Sequence, residues 1–146
     1  EHIGRRVPTG LISFGIHLIA EEYMAQLNAG PAPCVAFAEA NRIRFARAGE
    51  GGPRVFTGYE PPLMTSPADK LALLERRLER AGASCPLVIG NGRDEAAMAD
   101  RARVLGGLSI GFQPAAEVAE HFDVVVRGPD WVPMTVLLGE LLDVNP

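Results

Sequence analysis

The sequence predicts an α/β fold, a parallel sheet with helices on both faces in three layers, and three observations point to it. Short apolar runs such as GLISFG (10–15), PLVIG (86–90) and LSIGF (108–112) are too hydrophobic for strands that bury one face only. Between them lie stretches with apolar residues at helical spacing. The alternation continues to the carboxyl end, which is the pattern of parallel strands joined by crossover helices.

The elements follow in order. GLISFG reads as a buried strand, and IHLIAEEYMAQL behind it places Ile16, Ile19, Tyr23, Met24 and Leu27 near one helical face. CVAFAEA (34–40) reads as a second buried strand. NRIRFAR alternates, with Ile43 and Phe45 on one side and Arg42 and Arg44 on the other, and the glycine-rich GEGGP (49–53) turns it into RVFTGY, so residues 41–60 form a small hairpin excursion. SPADKLALLERRLERAG carries a full set of helix signals: Ser66 as N-cap, Pro67 at the first helical position, Asp69 in the first turn and Gly82 as the stop. Leu71, Leu74 and Leu78 share its apolar face. PLVIG is the next strand, and NGRDEAAMADRARVLGG is a turn and helix with Met98, Ala102 and Leu105 in phase. LSIGF, a short helix from Pro114, the strand FDVVV (122–126) and a last helix around VPMTVLLGELL complete the chain.

Composition narrows the function classes. At 146 residues the chain suits one compact domain spanning 1–146. A hydrophobic fraction of 47% lies far from the signature of disorder, so a core is expected. The net charge of -4 argues against a general nucleic-acid binder, whose affinity rests on Lys and Arg neutralising phosphates. No apolar run reaches the roughly 18 residues of a membrane span, and the basic pair near the start does not lead into a signal peptide. A cytoplasmic protein without membrane or nucleic-acid partners is the expectation. Cys34 and Cys85 each stand at the start of an apolar run and outside any metal-ligand spacing, which predicts buried free thiols. His2, His17 and His121 share no ligand spacing either.

Ligands of open parallel sheets sit beyond the carboxyl ends of the strands. Ser13 ends the first strand there, Asn91 to Glu95 follow PLVIG, and Lys70 stands in the first turn of the helix between them. A hydroxyl, a cation and a carboxylate-bearing turn suit phosphoryl transfer, which consists mostly of positioning and charge neutralisation. Each also has a plainer reading. Ser13 fits as a cap for the following helix, Asp94 and Glu95 complement a helix dipole, and Lys70 fits a solvated surface. Arg93 reads as surface, Trp131 as core or helix-start packing, and Arg42 with Arg44 as charges protecting a strand edge.

The order of Ser13 in ISFG, ANRI at 40–43, Lys70, then GNGRDEAAM, GLSIGFQP and DVVV resembles motifs II to IV of haloacid-dehalogenase-type phosphatases, particularly phosphoserine-phosphatase-like ones. The resemblance covers about residues 8 to 140 and implies a Rossmann-like core hydrolysing a small phosphorylated metabolite with magnesium through an aspartyl-phosphate. It implies that Ser13, Phe14, Gly15 and Lys70 hold the phosphate, with Ser13 and Lys70 catalytic, and that Asn91, Asp94 and Glu95 face the metal. The family turn usually reads Gly-Asp-Gly-x-Asn-Asp, so Asn91 stands where a carboxylate is usual, which weakens affinity for a hard cation.

The family's first motif, Asp-x-Asp-x-Thr or Val, occurs nowhere in this sequence, and neither does the cap that usually follows it. The leading strand and its nucleophile are therefore expected on other polypeptide, from upstream sequence or a partner, and a homodimer or exchanged strand would fill the vacant position. An opening at Glu1 without Met agrees with a fragment, a processed product or one piece of a split protein. The alternative is a non-catalytic binding or structural module of the same fold.

Overall fold

A computed structural model describes residues 7–31 and 33–142. Two compact units make up the chain, the first ending at Thr65 and the second beginning at Ser66.

In the first unit, β1 (Gly10–Ile16) pairs in parallel with β2 (Phe37–Asn41), Gly10 opposite Phe37 and Ile16 opposite Asn41, with a register shift between Ile12 and Ile16. The crossover is α1 (His17–Leu27), as the strand-to-helix switch in periodicity predicts. The strand expected over 34–40 begins later, at Phe37. The Asn28 side chain explains the delay: its Oδ1 accepts the N–H groups of Cys34 and Val35, both at 2.8 Å, and its Nδ2 donates to the Val35 carbonyl. These backbone groups are satisfied by a side chain rather than by a ladder.

The apolar stripe expected to bury α1 is also corrected. Ile19, Tyr23 and Leu27 are exposed, and the buried residues of the helix are His17 and Ala20. The hairpin forms as expected, β3 (Ile43–Arg47) antiparallel to β4 (Arg54–Tyr59). Gly49 and Gly51 adopt positive φ in its turn, 83° and 73°, where a side chain would be strained.

The second unit carries the better-filled core. The sheet runs in the order β5 (Leu87–Gly90), β6 (Leu108–Phe112), β7 (Val124–Val126), all parallel. Successive β6 residues face opposite sides. Ile110 packs with Val126 and with Met134 of α4 (Val132–Leu141), and Leu108, Phe112 and Val124 flank that cluster. On the other side a Cβ at Gly111 would lie 2.8 Å from the Phe122 ring, and Phe122 packs with Val118 and with Ala99 of α3 (Arg93–Val104). Helices thus cover both faces of this sheet, as predicted.

The helix α2 (Pro67–Ala81) follows its sequence signals closely. Ser66 and Asp69 form a reciprocal capping box, and Gly82 ends the helix at φ 61°. The thiols depart from expectation: Cys34 is half-buried, and Cys85 is exposed, with its Sγ 2.9 Å from the Gly106 carbonyl. Both run starts lie before the strands proper, in loop, where an apolar neighbour sequence does not guarantee burial. Trp131 is 57% exposed at the N-cap of α4, yet its ring stacks on Phe112 at 4.1 Å, so helix-start packing describes it.

Candidate active site

Ser13 lies within β1, and its hydroxyl oxygen accepts the Gly15 N–H at 3.0 Å. It does not cap the helix behind it. The N-cap of α1 is Ile16, with no side-chain hydrogen bond, so that plainer reading falls away. The chain at Phe14 is held from outside the strand: Asn41 donates from Nδ2 to the Phe14 carbonyl at 3.0 Å and to the Met64 carbonyl at 2.9 Å, while its Oδ1 accepts the Met64 N–H at 2.7 Å. Asn41 is 8% exposed, and its amide satisfies three backbone groups. The sequence carried it only as part of ANRI. Its positioning role was unread because its partners lie 23 and 27 residues away.

In the second unit, Lys70 is 4% exposed in the first turn of α2. A solvated surface cation it is not. Its ammonium pairs with Glu95 Oε1, and Glu95 Oε2 accepts the Gly92 N–H at 3.0 Å at the start of α3. Burial of an ammonium is tolerable when it is paired, and removing one partner leaves an uncompensated buried charge. Gly90 makes room for the pair, because a Cβ there would stand 2.4 Å from Glu95 Cγ.

Of the residues expected to face magnesium, Asn91 is exposed ahead of α3, and Asp94 is half-buried in its first turn beside Glu95. Arg93 is exposed at the helix start. Both Glu95 oxygens are engaged, one by Lys70 and one by the backbone. Among the described residues no three His, Cys, Asp or Glu side chains converge as a metal set. Magnesium demands near-octahedral oxygen ligation. The described residues of this chain do not by themselves fit it.

A second polar group in the same unit has a different character. Asp123 Oδ2 accepts the Ser109 hydroxyl at 2.7 Å and the Ser109 N–H at 2.9 Å, and Oδ1 accepts Arg103 Nε at 2.7 Å. The Ser109 hydroxyl and the Arg103 guanidinium hold the Asp123 carboxyl below the usual carboxylate range. The Asp123 carboxylate in turn raises the Arg103 guanidinium. The arrangement fastens β6 to the approach of β7 and presents no free nucleophile.

Neither a protein-family model nor a curated protein sequence matches the chain. Solved structures do. A phosphoserine phosphatase in its apo form superposes with a TM-score of 0.63 at 21% identity, over 94% of this chain and 58% of that one. A probable phosphoserine phosphatase from Vibrio cholerae gives 0.71 at 14% identity, over 94% and 38%. A substrate-bound phosphoserine phosphatase complex gives 0.67 at 20%, over 91% and 57%. The fold is that of the phosphoserine phosphatases. The chain shares the α/β architecture of these structures and spans between 38% and 58% of their length. Among the described residues no helix is long and apolar enough to cross a membrane.

Proposed function

We propose that this chain is part of a phosphatase-type hydrolase core that acts on a small phosphomonoester, with the nucleophilic aspartate on polypeptide outside these residues. The observation that carries the reading is Lys70. A helix's first turn repels a cation, and burial disfavours an ammonium, so a buried lysine there needs a reason beyond local structure. The Glu95 contact fixes where its charge sits. The likeness to phosphoserine phosphatases supports the fold on which this chemistry runs.

In this reading the outside carboxylate attacks phosphorus, the P–O ester bond breaks, the ester oxygen takes a proton from an acid group on the same outside polypeptide, and an aspartyl-phosphate forms. Water then gives a proton back to that group and attacks the same phosphorus, breaking the acyl phosphate bond, releasing inorganic phosphate and regenerating the carboxylate. Lys70 offsets the charge that builds on the phosphoryl oxygens, and for Ser13, with Phe14 and Gly15, a phosphate-holding role is what the family resemblance implies. Magnesium in such an enzyme would rest on Asp94, Asn91 and oxygens from the same outside polypeptide.

Open strands support the need for added chain. Among the described residues β1 and β2 each have one unpaired edge, and β5, like β7, is an outer strand of its parallel sheet. Leu11 and Ile89 on these strands are 39% and 38% exposed. Apolar parallel strands belong in sheet interiors, and an outer one is a template for another strand. We propose that a further strand, from upstream sequence or from a partner, pairs there.

A second reading, a non-catalytic module, is favoured by the engagement of both Glu95 oxygens and by Asn91 in place of a carboxylate. Phosphate release from phosphoserine and an aryl phosphate separates the two when measured on the full gene product, with and without magnesium. Magnesium-dependent release that falls at least a hundredfold in Lys70→Ala and Ser13→Ala supports the hydrolase. Absence of release from a folded full-length protein supports the module.

A further inference from the structure

The first unit holds a cavity of about 520 Å³ between the start of α1 and the β3–β4 hairpin. That is within the usual size of a small-molecule site. We infer that it is a binding site for a small anionic molecule with an apolar body, independent of the hydrolase reading above.

Three features converge on an anion. Arg44 and Arg54 line the cavity, and neither guanidinium is paired with a carboxylate among the described residues: Arg44 donates to the Tyr59 carbonyl at 3.1 Å, and Arg54 lies over the Phe45 ring at 5.4 Å. Arg47 stands directly across the hairpin from Arg54, a like-charge pairing that opposes strand association unless counter-charge arrives. The carboxylate in the lining, Glu60, is engaged by Arg42 at 3.3 Å.

His17 is the second feature. It is 9% exposed and lines the cavity, and its Nδ1 accepts the Ile43 N–H at 3.2 Å. An accepting Nδ1 places the proton of the neutral ring on Nε2. Among the described residues Nε2 has no hydrogen-bond partner and is not sealed from solvent, so a mostly buried ring keeps one accessible donor for an acceptor. The third feature is the α1 terminus, which has neither a side-chain cap nor an acidic residue in its first turn. Its leading N–H groups and positive dipole end favour an anion. Leu18, Ile43 and Phe45 supply apolar wall, which a bare inorganic ion would leave uncovered.

The test is a ¹H–¹⁵N titration of this chain with phenylphosphonate, which joins an anionic head to an apolar ring and cannot be hydrolysed. Benzyl alcohol and inorganic phosphate are the neutral and ringless controls. Saturable shifts are expected at His17, Leu18 and Ile43, with benzyl alcohol inert and phosphate at least tenfold weaker. Arg44→Ala/Arg54→Ala should weaken phenylphosphonate at least tenfold, and the Lys/Lys pair should restore most of it. Both arginines are exposed, and native shift dispersion verifies that each variant is folded. Arg80→Ala, which removes an exposed cation from the second unit, should leave the affinity within twofold. Unchanged affinity in the double alanine variant overturns the inference, and so does an equal loss in Arg80→Ala, shifts centred elsewhere, or no saturable binding. Failure of phosphate release in the assay above would leave this result unaffected, so the two readings fall separately.

Discussion

The two units of the chain bury their apolar residues very unequally. Among the described residues the buried apolar side chains before Ser66 are Ala20 and Met64, whereas the second unit encloses Ile110, Met134, Ala99, Ala102 and others at 0–1% exposure or close to it. The first unit is held instead by polar clamps: Asn41 on Phe14 and Met64, Asn28 on Cys34 and Val35, and His17 on Ile43. Directional bonds position a short backbone segment without filling space, and they leave room for a cavity. A packed core gives up that room for free energy, since buried apolar area is the dominant favourable term.

Substitutions break or sharpen this contrast. The largest effect is expected from Ile110→Ala, which opens a void at a fully buried position and should cost about 2–5 kcal/mol in urea unfolding. Asn41→Ala should follow at roughly 2–3 kcal/mol, because buried backbone groups at Phe14 and Met64 lose their partner. An equal loss in these two variants would show that clamps hold the first unit as firmly as packing holds the second. Gly90→Ala should cost about 1–3 kcal/mol by pushing Glu95 from its place, and it should shift the Lys70 Nζ resonance in NMR.

A smaller effect is expected from Ser109→Ala, about 1 kcal/mol at neutral pH. The Asp123 carboxyl is depressed in the folded state, so its contribution to stability is complete above the unfolded carboxylate range and is lost as pH falls through the folded value. Ser109→Ala should move that titration up toward the ordinary range. The stability gap between variant and parent should then narrow in acid, as followed by carboxyl ¹³C shifts and unfolding at several pH values. Least is expected from Ile19→Ala, within about 0.5 kcal/mol, since Ile19 is 54% exposed. A large loss there would mean that this face of α1 is covered in solution.

Helix α2 and helix α1 mark how far the sequence carries. Every signal in α2 acts within four residues, Ser66 with Asp69 and the helix end with Gly82, and all of them appear as read. In α1 the apolar spacing named Ile19, Tyr23 and Leu27, and the structure buried His17 and Ala20. Periodicity reports that a helix has an apolar face, but the neighbours decide which face they meet. The strand expected from Cys34 starts only at Phe37 for a related reason, because Asn28 takes up the N–H groups of Cys34 and Val35 across a loop.

The candidate site divides along the same line. Lys70 and Glu95 stood out in the sequence as single residues, but their pairing joins positions 25 apart and was not legible there. Of the cavity residues, Arg44 looked like edge protection together with Arg42, Arg54 carried no signal of its own, and His17 looked like an isolated histidine, because nothing in linear spacing brings a helix start to a hairpin.

The sequence by itself determined the strand–helix alternation, the hairpin and the caps, since these rest on contacts between near neighbours and on burial pattern. Only the tertiary structure decided which charges are buried and paired, which thiol is exposed, and where a cavity remains. Those outcomes depend on groups far apart in the chain meeting at a few ångströms, where desolvation and hydrogen bonding are set jointly by both partners.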